Sequence, residues 1–164
     1  MPDKIEPELK ESISQAEVDE RIAVLKRFRL LLVKQRDRFR TYIDSLEVQK
    51  DLIEQGNTED LTEHIDLEEK IVGDIMAIQK VIDPLQTMYR SAWETGEPPE
   101  VPEIQSTLKK LRVEAKKRCD RNKNLLQERM TGIRTEIKEL RSNPFKRRSP
   151  YASGAAPSII DIKG

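Results

Sequence analysis

Few residues in this chain have the chemistry to act as catalysts or ligands, and their spacing limits what they could do. His64 is the only histidine, and Glu68 follows it four positions on. On a helix that spacing puts both side chains on one face, where they could offer two metal ligands. A zinc site needs three or four, and Cys119, the only cysteine, lies far off in sequence. No metal and no cofactor is therefore expected, and His64 reads as an exposed residue of an acidic helix. Cys119 has Lys116, Lys117, Arg118 and Arg121 nearby, cations that could lower the pKa of a thiol. No histidine stands near it in sequence to serve as base, and it falls on an apolar line, so a small core residue is the simpler reading. Adjacent acids such as Glu68 and Glu69 could do acid–base work only inside a cleft. Six glycines in 164 residues include neither a GxxxxGK(S/T) nor a GxGxxG pattern, which leaves no phosphate-cradling loop. The residues predict a protein that is not an enzyme.

Composition says what kind of scaffold holds them. Charged residues make up 37% of the chain and aromatics only 4%, too little apolar mass for a thick core but enough for one narrow stripe per helix. From residue 17 a sevenfold line sets in: Val18, Leu25, Leu32, Phe39, Leu46 and Ile53, widened by Ile22, Phe28, Tyr42 and Ile43. A strict period of seven predicts a seam that supercoils around a partner helix. Helix one is expected over about 17–55, after a flexible acidic arm at 1–16 that carries Pro2 and Pro7. Gly56-Asn57 stops it, and either Asn57 or Thr58 caps the next helix. A turn this short sends helix two back antiparallel to the first.

Helix two, about 58–94, carries Leu61, Ile65, Val72, Ile75, Ile78, Ile82, Leu85, Tyr89 and Ala92, with Pro84 inside the pattern, where it either kinks or ends the helix. Tyr89 and Trp93 close the bundle end or offer an aromatic contact to a partner. Residues 95–102, TGEPPEVP, are expected to be non-helical. Helix three, about 103–142, shows Ile104, Leu108, Leu111, Ala115, Cys119, Leu126, Met130, Ile133, Ile137 and Leu140, interrupted at 120–124 by a polar run that reads as its weakest stretch. After Asn143-Pro144 the composition turns to Pro, Ser, Gly and Ala, and 143–164 reads as a disordered tail whose Ile159, Ile160 and Ile162 are either a short motif or a plain apolar end. The expectation is an all-α, elongated antiparallel helical bundle of three long helices, a long hairpin plus a third helix.

The formal net charge of zero hides segregation. Residues 1–102 hold 14 basic and 23 acidic side chains, while 103–148 hold 15 basic and 6 acidic. The hairpin tip, 44–69, has ten acids against Lys50 alone. A third helix antiparallel to the second would bring its basic second half toward that tip and so select helix order and direction. The alternative, a nucleic-acid surface on 21–40 or 109–123, lacks the aromatics that base stacking uses, and no nucleic-acid partner is expected. No run reaches 18 apolar residues and the N-terminus has no apolar leader, so neither membrane insertion nor a secretory signal is expected. One cysteine fits a reducing, cytoplasmic setting.

The stretch from Val24 to Leu85 resembles the FlgN-type flagellar export chaperones. It shows a first helix ending in an LExQxxxIxxGN-like motif, a short turn, and a second helix with acids before its apolar line. Leu46, Glu47, Gln49, Ile53, Gly56, Asn57, Leu61 and Glu69 carry the likeness, while the Pro-rich 95–102, Pro84 and the tail after Pro144 depart from it. The resemblance implies a cytosolic chaperone that holds hook–filament junction (hook-associated) proteins and delivers them to the flagellar type III export apparatus. It points to Leu125, Leu126, Met130, Ile133, Ile137 and Leu140 as the client-binding set, with core packing on the hairpin as the alternative for the same residues. It also points, by a single tyrosine, to Tyr151 for docking on the export gate. A different class fits the seams as well: a coiled-coil scaffold that self-associates and has no client. The sequence leaves monomer and dimer both open.

Overall fold

The computed structural model describes residues 14–92 and 100–142, and within them the chain forms three long helices and no strand. They are α1 (Gln15–Gln55), α2 (Thr58–Ala92) and α3 (Glu100–Ser142). Trp93, Tyr151, the tail isoleucines and residues 1–13 lie outside the described residues. The chain divides into two units, 1–125 and 126–164, so the division falls inside α3.

Local chemistry sets the helix ends, twice earlier than expected. α1 begins two residues before position 17 because Ser14 caps it. The Ser14 hydroxyl accepts from Glu17 N at 3.3 Å, and Glu17 Oε2 accepts from Ser14 N at 2.8 Å. This reciprocal pair satisfies two amides that the first turn leaves open, and Ser-x-x-Glu is its sequence signature. The Ser14 backbone bond also holds the Glu17 carboxyl below its usual range. At the other end Gly56 adopts φ +70°, donating to Ile53 O, while Asn57 N reaches Leu52 O at 3.2 Å. The left-handed residue is where a side chain would strain the backbone. Asn57, rather than Thr58, caps α2: its Oδ1 accepts from Asp60 N at 3.2 Å.

α2 runs unbroken through Pro84, so the proline does not end it. The ring removes one donor, and the carbonyl left without it belongs to exposed Lys80, where water can serve. α3 begins at Glu100 instead of 103, correcting the expectation that 95–102 is wholly non-helical. Pro102 sits in the first turn, where no amide is needed, and Val101 beside it is only 1% exposed.

Contacts within the first unit fix direction. Phe28 and Leu32 of α1 share a core with Ile82, Leu85 and Tyr89 of α2 and with Val101 and Leu108 of α3. Farther along α1, Ile43 and Leu46 meet Ala115 of α3, with Phe39, Tyr42, Leu111 and Cys119 packed around them. Thus α2 descends as α1 ascends, and α3 ascends with α1. The sevenfold line of α1 finds its partners inside the chain: Leu32, Leu46 and Ile53 are buried. Phe28 anchors the first cluster, its ring 5.0 Å from that of Tyr89.

Candidate functional site

The residues singled out for chemistry are placed in structural roles. His64 is not exposed: its Nε2 lies 2.7 Å from Ser45 O and 3.3 Å from Glu68 Oε1. A backbone carbonyl only accepts, so this nitrogen carries the proton that holds α2 to α1. Glu68 is buried, which raises its carboxyl pKa against the opposing pull of His64. Its neighbour Glu69 is exposed, so the two acids share no cleft. Cys119 Sγ lies 3.1 Å from the Tyr42 hydroxyl, and burial, with that bond, pushes the phenol above its ordinary range. Among the described residues no three side chains of metal-ligating type come together.

The polar run at 120–124 proves to be a lock, which corrects its reading as the weakest stretch of helix three. Asn122 is 2% exposed, and its amide donates to Leu46 O at 2.7 Å and to Gln49 Oε1 at 2.8 Å. Gln49 in turn donates to Glu68 Oε2 at 2.6 Å. One chain of bonds therefore crosses α3, α1 and α2 as far as Glu68, beside which the separate His64 bond ties α2 to Ser45 of α1. Beside it Arg118 and Arg121 reach Glu47 at 3.0 and 2.8 Å, so the acidic tip is met by the first half of α3 and not, as the charge pattern predicts, by its second half. These bonds hold the Glu47 carboxyl low, Arg121 foremost. A second polar layer lies deeper in the first unit. Gln35, 1% exposed, donates to Gln79 Oε1 at 2.6 Å, and Arg112 donates to the same oxygen at 2.9 Å. Counting apolar positions misses both layers, because Asn122 and Gln35 read as surface residues until their partners are known. No local signal separates them from the exposed amides.

Beyond Leu125 the pattern changes. Leu126, Met130, Ile133, Ile137 and Leu140 are all exposed, from 38% for Leu126 to 71% for Leu140. Their steps of four, three, four and three place them on one face, as in a coiled-coil seam. Leu125 stands apart from the other five predicted positions: it is half-buried and belongs to the first unit. Every residue from 126 to 142 is exposed, so this apolar line is uncovered.

No protein-family model matches the chain, and no solved structure matches it. Among curated proteins, an uncharacterized protein of Treponema pallidum (strain Nichols) is 28% identical over 130 residues, covering 79% of this chain and 83% of that one. No helix among the described residues is long and apolar enough to cross a membrane.

Proposed function

We propose that this protein is a non-enzymatic helical carrier in the cytoplasm: the hairpin with the first half of α3 is its frame, and the far half of α3 receives a client. The observation that carries this reading is the uncovered seam Leu126–Met130–Ile133–Ile137–Leu140 on a helix whose first half buries Val101, Leu108 and Ala115 in the core. An apolar line at coiled-coil spacing is covered when a second amphipathic helix lies on it. Met130 suits such a contact, since its flexible thioether adapts to the shape of a partner. Likeness to the FlgN-type chaperones, over the stretch from Val24 to Leu85, makes the proposed clients hook–filament junction proteins and the destination the flagellar export apparatus. Tyr151 is carried with that proposal as an export-gate contact.

The test is direct. Purified full-length protein is mixed with each purified hook–filament junction protein of the same bacterium, and the mass of the complex is measured by light scattering after gel filtration. A one-to-one complex that is lost in an Ile133→Asp/Ile137→Asp variant supports the reading. If no junction protein binds, the flagellar assignment is wrong. A second reading, the self-associating scaffold, rests on the same exposed seam. It takes over if the protein alone is a dimer that the double variant disperses.

A further inference from the structure

The exposed seam has two unlike edges. At about 100° per residue, the side chains flanking Leu126, Met130, Ile133, Ile137 and Leu140 on one side are Gln127, Arg134, Lys138 and Arg141. The opposite edge holds Arg129 and Glu136. The remaining acids of this half, Glu128 and Glu139, lie toward the back of the helix, away from the seam. Arg134, Lys138 and Arg141 are exposed, and together they form a row of three cations with no acid among them.

Edge charges decide which helix may lie in a seam, because each flanking residue faces one flanking residue of the partner. A second copy of this chain offers Arg134 no carboxylate in either direction. In parallel, Arg129 faces Arg134 of the other copy while Glu136 faces its Arg141, a repulsive and an attractive pair. Antiparallel, with Leu126 opposite Ile137 and Met130 opposite Ile133, Arg129 faces Glu136 while Arg134 faces only Gln127. A basic-edged helix is opposed along the whole row. A helix with carboxylates beside its apolar line gains every cation of the row, and the mixed edge is neutral toward it. Building on the reading of this face as a docking site, we infer that its occupant is an amphipathic helix of another protein with acidic residues flanking the apolar line, selected by Arg134, Lys138 and Arg141. The seam from 126 to 140 spans about 21 Å, which sets the occupant at about four turns.

Two synthetic three-heptad peptides with the same Leu/Ile line separate the possibilities, one carrying Glu and the other Lys at the positions beside it. Binding to the full-length protein is followed by fluorescence anisotropy at low and at high salt. The Glu peptide binds tighter by at least about fivefold at low salt, and the preference shrinks as salt rises. In an Arg134→Glu/Arg141→Glu variant, whose helical content is checked by circular dichroism, the order reverses. Equal binding of the two peptides, or a preference that the charge reversal does not move, overturns the inference while leaving the docking face intact. Failure of both peptides to bind overturns the inference and the docking face together. A dimer of the free protein that Ile133→Asp/Ile137→Asp disperses makes a second copy the occupant, and overturns it as well.

Discussion

The two halves of α3 carry the same kind of apolar line and put it to opposite uses. From Val101 to Ala115 the line is buried: Val101, Leu108 and Ala115 are 1%, 3% and 4% exposed against α1 and α2. From Leu126 to Leu140 every member is exposed. Between them stands Asn122, buried and bonded to Leu46 and Gln49 of α1. Amphipathicity alone therefore does not distinguish core from interface. In the first half the stripe supplies stability. In the second it is surface that a folded protein keeps uncovered only at some cost in solubility, which is why it reads as a binding face.

Truncating the same side-chain class in the two halves gives the sharpest contrast. Leu108→Ala is expected to cost about 2–5 kcal/mol in urea unfolding, the range for emptying a well-packed site. A cost below about 1 kcal/mol would mean that the first half of α3 is as loosely held as the second. Next in size is Asn122→Ala, which strips the partner from Leu46 O and Gln49 at a buried site and is expected to lower stability by about 1–3 kcal/mol. An unchanged melting temperature would show that the lock contributes nothing. A smaller, pH-dependent effect is expected at Glu68. Burial raises its folded pKa above the unfolded value, so the folded state holds the proton more tightly. Its contribution is then most favourable below the ordinary carboxylate pKa and is lost as pH rises through the raised one. Glu68→Gln abolishes that change, so the stability of the variant relative to the parent should grow as pH rises across this window. Parallel melting curves over pH would refute the assignment. Smallest of all is Ile133→Ala, expected to shift stability by less than about 0.5 kcal/mol while weakening binding of the acid-flanked peptide. A loss comparable with that of Leu108→Ala would mean that the far seam is covered after all.

The elements were legible because their signals are local. The sevenfold line of α1, the Gly56-Asn57 stop and the acids opening α2 each depend on neighbours within a few residues, and the helix ends follow them to within three positions. Where the structure departs from expectation, at Ser14 and Glu100, the cause is also local: Ser14 and Glu17 form a capping box, and a first turn accepts a proline that would break a helix interior. The hairpin followed from a short turn, whereas the charge pattern pointed to the second half of α3 and the contact with Glu47 comes from Arg118 and Arg121 of its first half. Gln35, Glu68 and Asn122 are another matter. Nothing in their surroundings along the chain marks them as buried, since the partners that satisfy them lie 44, 19 and 76 residues away.

By itself, then, the sequence determined three helices, their turns, the hairpin and the apolar face each helix presents, because these rest on backbone propensity, capping and periodicity within a few turns. Only the tertiary structure decided which faces are covered. Burial is a property of two elements meeting, and an apolar stripe with a neighbour is spelled no differently from one without. That one fact divides α3 into a half that is core and a half left uncovered.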